Sequence, residues 1–203
     1  MARIQGASAP LDALACRLHD QYPGDVGVFC AYLLNYTTLQ PGQALFLAAN
    51  EPHAYISGDC AEIMANSDNV VRAGLTPKWM DIDTLCACLT YGAGTPHFVE
   101  PVADDSGAVW TYHPPTDEFM LERIEMEDGG TASLPSKRGA AIIIIVEGGA
   151  QVESLTEGAD AAAKPAAQLS TGAVQLVRPR TALRVRAHGR LLMFRASAQD
   201  GPQ

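Results

Sequence analysis

Two cations, Arg72 and Lys78, stand out because the chain around them is acidic. Between Arg17 and Arg123 the sequence has only these two basic residues, against fourteen Asp and Glu. They lie six residues apart in a segment whose glycine and proline favour a loop. An arginine fork matches the oxygens of a phosphate, and a lysine adds a point charge. The pattern indicates an anion site, with solvated cations or ion pairs to nearby carboxylates as the alternative.

His53 is the second candidate for chemistry. It opens an expected strand, and Tyr55 falls on the same face because strand side chains alternate. An imidazole here could bind a metal, although a lone histidine is more commonly structural. Glu62 falls on the expected partner strand, where its carboxylate could be an acid, a base or an ion-pair partner. No Gln-x-His, His-x-His or His-x-x-x-His occurs in the chain, so spacing indicates no second ligand.

The elements that must position these side chains are predicted to be a helix, hairpins and many short strands. A helix is predicted over 10–22 with Ser8 as its cap, and another from Asp83 to about Tyr91. Strands are predicted at 32–39, 44–48, 53–57, 60–64, 119–126, 139–147, 150–155, 173–178, 181–187 and 190–196. A polar junction covers 94–115, and 159–167 is expected to be a surface loop. Short strands between Gly and Pro turns predict a mainly β sandwich or jelly-roll barrel.

Composition excludes several classes of function. A formal net charge of −9 argues against binding nucleic acid or an anionic membrane. The longest apolar run, 140–146, is too short to cross a bilayer, and no secretory signal is expected. The five cysteines show no zinc-knuckle spacing, so reduced thiols are expected. The arginine stripe from Arg178 to Arg190 is expected to be a solvated strand face, with a docking surface as the alternative.

The segment from Tyr22 to Tyr91 resembles the type I phosphomannose isomerases. The most specific stretches are PHAY at 52–55, GDCAE at 58–62 and SDNVVRAGLTPK at 67–78, supported by YPGD at 22–25 and PGQA at 41–44. The likeness continues more weakly through 112–119, and the later strands agree in pattern rather than in identity. This resemblance implies a cupin-type fold, mainly β, with jelly-roll barrels and a few short helices.

On the family's map the chain has three parts. Residues 1–22 would end a helical insertion, and 23–95 would supply the C-terminal part of a catalytic cupin barrel that is incomplete in this chain. Residues 96–203 would form a second, metal-free barrel.

The resemblance implies a zinc enzyme that interconverts mannose 6-phosphate and fructose 6-phosphate. It makes His53 a zinc ligand, Tyr55 and Lys78 substrate-binding residues, and Arg72, Glu62 and Asp68 catalytic residues, with the base left open between the two carboxylates. The family's other zinc ligands, a Gln-x-His pair and a glutamate, are absent from this chain. One Zn²⁺ is therefore expected per complete site, with the other ligands supplied from elsewhere.

The resemblance also sets expectations about partners and location. We expect a cytoplasmic enzyme with a small sugar phosphate as substrate, feeding GDP-mannose synthesis, and monomeric when complete. No nucleic acid and no membrane is expected to bind. The alternative is a truncated, non-catalytic cupin fragment that acts as a binding or structural remnant.

Overall fold

The computed structural model of the protein describes residues 9–67, 70–156 and 166–199. The helices are α1 (Ala9–Gln21), a 3₁₀ helix (Val26–Phe29), α2 (Cys30–Leu33) and α3 (Ile82–Cys88). The strands are β1 (Ala44–Phe46), β2 (His97–Val99), β3 (Val102–Ala103), β4 (Val109–Tyr112), β5 (Met120–Met126), β6 (Thr131–Leu134), β7 (Ala141–Thr156), β8 (Ala167–Ser170), β9 (Val174–Val177) and β10 (Thr181–Ser197). The mainly β prediction is confirmed.

The chain forms two compact units. Unit 1 combines Met1–Pro41, Leu47–Gly58 and Asn66–His97, and unit 2 combines Gly42–Phe46, Asp59–Ala65 and Phe98–Gln203. No described helix has both the length and the apolar character needed to cross a membrane.

Unit 1 is organised on a small apolar core. Leu14, Ala15 and Leu18 project from one face of α1, and Val28 of the 3₁₀ helix packs against them. The spacing of the leucines on successive turns produced the prediction of this helix, which the structure confirms. The predicted Ser8 cap lies outside the described residues.

The strand predicted at 32–39 is wrong. Its first residues complete α2, and the residues after α2 up to β1 form no strand. Asp25 is the N-cap of the preceding 3₁₀ helix. Its side chain accepts a hydrogen bond from the backbone N–H of Gly27 at 2.7 Å. This cap and the burial of Val28 on α1 outweigh the strand preference of the Tyr- and Thr-rich sequence.

The hairpin predicted at 53–57 and 60–64 is also wrong, because residues 47–67 contain no regular strand. A strand exists only within a ladder of hydrogen bonds to a neighbour. No described strand pairs with this segment, so it stays irregular. The strand predicted at 44–48 is confirmed in a shorter form as β1, which pairs with β2.

The helix predicted to begin at Asp83 is confirmed, but its cap is Asp81. The carboxylate of Asp81 accepts hydrogen bonds from the backbone N–H of Thr84 at 3.0 Å and from its hydroxyl at 2.7 Å. The backbone bond, with help from the hydroxyl, lowers the pKa of Asp81. The helix ends at Cys88, earlier than predicted.

Unit 2 is built around its two longest strands, β7 and β10, which pair antiparallel along most of their length. The second half of β10 also pairs with β5, and its first half pairs with β6. In the same way β7 pairs first with β9 and then with β8. Each long strand therefore contributes to two groups of partners, as expected for a jelly-roll.

The sequence predicted four short strands where β7 and β10 run without interruption. The reason lies at Gly148, which has a φ of +79° and no room for a side chain, because a Cβ would lie 2.0 Å from the carbonyl oxygen of Arg190. The register of β10 against β7 shifts between His188 and Leu192. The glycine pair at Gly148 and Gly149 is thus a bend within a continuous strand rather than a turn between two strands.

Side chains alternate between the interior and the surface of unit 2. The interior holds a continuous apolar cluster that includes Ile124, Leu134, Ile143, Ile145, Leu183, Val185, Leu191 and Met193. The outward positions of β10 include Arg184 and Arg190, which form surface ion pairs with Glu153 and Glu125. All five arginines of the predicted stripe are exposed, and three of them lie on β10; the solvated face and the docking surface both stay predictions.

A buried ion pair interrupts the apolar interior. Arg195 is 0% exposed, and its guanidinium donates two hydrogen bonds to the carboxylate of Glu122, which is 3% exposed. A third donation reaches the carbonyl oxygen of Pro135 at 2.8 Å. Lys137 lies 3.3 Å from the same carboxylate. Glu122 is therefore the anion that makes burial of this arginine tolerable.

Replacing Glu122 with Ala should lower the free energy of unfolding by about 3–5 kcal/mol, because it leaves the buried guanidinium of Arg195 without its carboxylate partner. Chemical denaturation followed by tryptophan fluorescence measures the change. Glu153→Ala, which breaks the exposed pair with Arg184, is the matched control and should cost below about 1 kcal/mol. Equal losses for the two variants would contradict the role given to the buried pair.

Tyr112 links β4 to the turn that precedes β1, and both lie in unit 2. Its hydroxyl donates to the carbonyl oxygen of Gly42 at 2.7 Å, and burial raises its pKa. A raised pKa means that the stabilisation is complete below the unfolded tyrosine value of about 10 and is lost as pH rises through the folded value.

We expect Tyr112→Phe to lower the free energy of unfolding by about 1 kcal/mol at pH 8. The difference from the parent chain should shrink as the pH is raised above about 10. Denaturation curves at a series of pH values test this, and a difference that stays constant into strong alkali would speak against it.

Candidate functional site

The loop that carries Arg72 and Lys78 lies in unit 1. Arg72 is half-buried and Lys78 is exposed. The backbone N–H of Lys78 donates to the hydroxyl of Thr76 at 3.1 Å, which fixes the local turn. Between the two cations, Leu75 adopts a φ of +53°, a conformation that non-glycine residues rarely take.

The carboxylate of Asp25 connects this loop to the start of the 3₁₀ helix. One oxygen accepts from the N–H of Gly27 at 2.7 Å, and the other accepts from the N–H of Thr76 at 3.1 Å. The backbones also touch: a Cβ on Gly74 would lie 2.8 Å from the Cα of Gly27. The strained loop is therefore held by a specific contact.

His53 lies in the irregular segment after β1. Its ring is exposed, and Nδ1 lies 2.9 Å from the carbonyl oxygen of Glu51. An Nδ1–H that donates to this oxygen leaves the lone pair of Nε2 available to a metal. The ring of Tyr55 lies edge-on at a centroid distance of 5.6 Å. The structure thus brings the predicted ligand and the predicted substrate-binding tyrosine together.

The segment of His53 and the loop of Arg72 are attached to the same core. Ile56, three residues beyond the histidine, and Leu75, three beyond the arginine, both pack against the cluster formed by α1 and Val28. Arg17 of α1 also donates to the carbonyl oxygen of Ile56 at 3.0 Å. Two segments that are distant in sequence therefore share one support.

The two predicted carboxylates fall in different circumstances. Glu62 is exposed and lies in a segment of unit 2 without regular structure, rather than on the strand predicted for it. Asp68 lies outside the described residues. Both stay predictions as acid–base groups.

The described residues fit zinc only in part. Four ligands are usual for this ion, yet the described ranges contain no group of three or more His, Cys, Asp or Glu close enough to hold a metal. His53 offers one imidazole with a suitable tautomer. It can be one ligand of a shared site and does not form a site by itself.

Sequence reasoning did not single out Asp25 as a functional residue. It belongs to the YPGD stretch, and an aspartate directly before a helical segment indicates an N-terminal cap. That signal predicts the bond to Gly27. The second bond, to a residue 51 positions later in the chain, requires the tertiary structure.

Comparisons with known proteins point to one family. Residues 2–34 match the family model described as phosphomannose isomerase type I, helical insertion domain. A probable mannose-6-phosphate isomerase of Dictyostelium discoideum is 51% identical over 148 residues, which is 71% of this chain and 33% of that protein. Mannose-6-phosphate isomerase 1 of Arabidopsis thaliana is 38% identical over 185 residues, 91% of this chain and 41% of that protein.

Solved structures give the same result. A lysine-to-alanine mutant of phosphomannose isomerase from Salmonella typhimurium superposes with a TM-score of 0.76 and 31% identity, covering 95% of this chain and 46% of that chain. The same bacterium's mannose 6-phosphate isomerase, bound to fructose 6-phosphate and zinc, gives a TM-score of 0.68 at 30% identity, with 95% and 46% coverage.

The fold matches that of part of the solved phosphomannose isomerases. The resemblance to the type I mannose-6-phosphate isomerases is confirmed, and this chain matches a portion of those proteins. It spans between a third and a half of the length of the relatives named here.

The chain alone should retain far less than one zinc ion per molecule, because a single imidazole is a weak ligand for this ion. Elemental analysis after gel filtration in zinc-containing buffer, followed by exhaustive dialysis, measures the content. His53→Ala should leave that low value unchanged. One tightly held zinc per chain that disappears in this variant would show that this chain forms a complete zinc site with His53 among its ligands.

Proposed function

We propose that this chain is part of an isomerase that interconverts mannose 6-phosphate and fructose 6-phosphate. The observation that carries the proposal is the common core beneath the segment of His53 and the loop of Arg72 and Lys78. A metal ligand and two cations supported by one core suit a substrate that carries both a carbonyl and a phosphate. The family resemblance supplies the particular sugar.

The reaction moves a proton between C1 and C2 of the open-chain sugar through an enediol. Its difficulty is the low acidity of a carbon-bound proton, and stabilising the negative charge that develops on oxygen lowers this barrier. Zinc, when bound with His53 among its ligands, supplies Lewis-acid stabilisation of that kind. Every other contribution comes from the side chains of the protein.

Arg72 is assigned to the developing enediolate, because a half-buried guanidinium presents several donors in a fixed plane. Lys78 is exposed, which suits a contact to the mobile phosphate of the substrate. Tyr55 would orient the sugar beside His53. The base that takes the proton from carbon would be Glu62 or Asp68, since a positioned carboxylate can be tuned for this task.

The proposal extends to the setting of the complete enzyme. It would be a cytoplasmic monomer that acts on a small sugar phosphate and feeds GDP-mannose synthesis. Neither nucleic acid nor membrane would be a partner, in agreement with the net charge of −9.

A second candidate is a non-catalytic cupin fragment. The observation in its favour is the lone imidazole, since the described residues lack a group that could hold a metal. Supplying the missing ligands separates the two candidates. Only the first predicts isomerase activity in a completed protein.

A chimera can supply those ligands. In it, this chain replaces the matching portion of the Dictyostelium discoideum relative, and the remainder of that protein stays unchanged. Conversion of mannose 6-phosphate is measured in a coupled assay. The chimera should be active while the chain alone is inactive. An inactive but folded chimera would favour the non-catalytic fragment.

In the active chimera, Arg72→Ala should lower kcat by about 100- to 1,000-fold with little change in KM, as removal of a transition-state contact does. Lys78→Ala should mainly raise KM. Arg186→Ala, an exposed arginine of β10, is the control and should change neither. An effect of Arg72→Ala on KM alone would remove the transition-state role.

A further inference from the structure

We propose that Asp25 is a positioning residue: its carboxylate holds the loop that carries Arg72 and Lys78 in the shape that catalysis requires. The catalytic part of this inference rests on the proposed isomerase function. The structural part stands on the geometry of unit 1 alone.

The first support is the pair of hydrogen bonds that the carboxylate accepts. One oxygen receives the N–H of Gly27 at 2.7 Å, and the other receives the N–H of Thr76 at 3.1 Å. Both bonds are partly buried, and hydrogen bonds to a carboxylate are stronger than bonds between neutral groups. Asp25 thus joins its own stretch of backbone to one that lies 51 residues later in the chain.

The second support is the close approach of the backbones beside the carboxylate. A Cβ on Gly27 would lie 2.9 Å from the N atom of Leu75, and a Cβ on Gly74 would lie 2.8 Å from the Cα of Gly27. Any side chain at either glycine would push the loop away from the 3₁₀ helix. The carboxylate can span both N–H groups only while these backbones stay in contact.

The two hydrogen bonds accepted by Asp25 form a clamp between the 3₁₀ helix and the loop. Its position in the loop explains how it can affect catalysis. Thr76 lies midway between Gly74 and Lys78, and Arg72 comes two residues before that glycine. Leu75, which lies between the two cations, has a φ of +53°. The loop therefore needs contacts with its surroundings to keep this strained backbone conformation. Releasing Thr76 would move both cations, although Asp25 itself need not touch the substrate.

Asp25→Asn is the sharpest variant, because it keeps the size of the side chain. An amide has one oxygen, so it can accept from one of the two N–H groups and must present an NH₂ group to the other. The matched control is Asp20→Asn, which removes the same charge from an exposed position of α1.

Hydrogen exchange tests the two Asp25 hydrogen bonds in the chain by itself, outside the chimera. In Asp25→Asn, amide exchange in peptides covering 72–78 should become about tenfold faster or more, as expected when a bond to a charged acceptor is lost. Asp20→Asn should leave those peptides unchanged. Unchanged exchange at 72–78 in Asp25→Asn would overturn the proposal, whatever the chain does as an enzyme.

Kinetics in the active chimera test the positioning role. Asp25→Asn should lower kcat/KM by about 10- to 100-fold, with a raised KM as well as a lowered kcat, because both cations move. A purely structural role would reduce the number of active molecules and leave KM unchanged. In an Arg72→Ala background the further loss of kcat should be small, since Asp25 acts through that arginine.

Two glycine-to-alanine variants, one crowded and one not, provide an independent test. Gly74→Ala should reproduce the KM and kcat changes, because its Cβ would overlap the Cα of Gly27. Gly92→Ala is the control, since its nearest neighbour would be the Thr90 hydroxyl at 3.8 Å. An unchanged KM in both Asp25→Asn and Gly74→Ala would overturn the positioning role.

The two proposals can fail separately. An inactive chimera with accelerated exchange at 72–78 removes the isomerase function and the catalytic role together, and leaves Asp25 as a structural clamp. An active chimera in which Asp25→Asn behaves like Asp20→Asn removes the positioning role alone.

Discussion

The packing of Ile56 and Leu75 on a small core of α1 and Val28 is the constraint on which the candidate site depends. Neither the segment of His53 nor the loop of Arg72 belongs to a helix or a strand, so no ladder of hydrogen bonds fixes it. Burial of one aliphatic side chain from each, worth up to about 1.5–3 kcal/mol apiece, takes the place of such a ladder. Asp25 and Arg17 add directional bonds to this packing. Apolar contacts provide the attachment, and polar contacts determine the shape.

Unit 2 solves a different physical problem. Its two longest strands, β7 and β10, are each hydrogen-bonded to partners on both sides. Its interior is a continuous apolar cluster, and the buried guanidinium of Arg195 is tolerated because Glu122 lies against it. The predicted metal ligand and both predicted cations belong to unit 1, and of the described site residues only the exposed Glu62 belongs to unit 2. The architecture of unit 2 is therefore explained by the requirements of a stable fold rather than by a catalytic role.

Sequence reasoning succeeded where local pattern and tertiary structure agree. The leucine spacing of α1 and the strand predicted at 119–126, which is β5 in the structure, are examples of correctly predicted elements. It failed at 32–39 and at 53–64, where the local sequence indicated strands but no described partner strand exists. A strand depends on its neighbour as much as on its own residues, and one sequence segment does not contain that information.

The candidate site shows the same difference between features that are local in sequence and features that depend on the tertiary structure. Spacing and charge were sufficient to select Arg72 and Lys78, because two cations in an acidic region are conspicuous in the sequence. The neighbourhood of His53 and Tyr55 was also predictable from their spacing, although they do not lie on the predicted strand. Asp25 was missed, since a bond that spans 51 residues leaves no local pattern. Long-range support of a loop is visible only once the chain is folded.

The order of strands in unit 2 has a consequence for synthesis on the ribosome. β10 lies at the centre of the sheet, with β5, β6 and β7 all hydrogen-bonded to it, yet it comes after every one of them in the chain. The earlier strands emerge with unpaired edges and need a partner that is made after them. Folding of this unit therefore requires β10 to have emerged, and until then the nascent chain is open to chaperones and to aggregation.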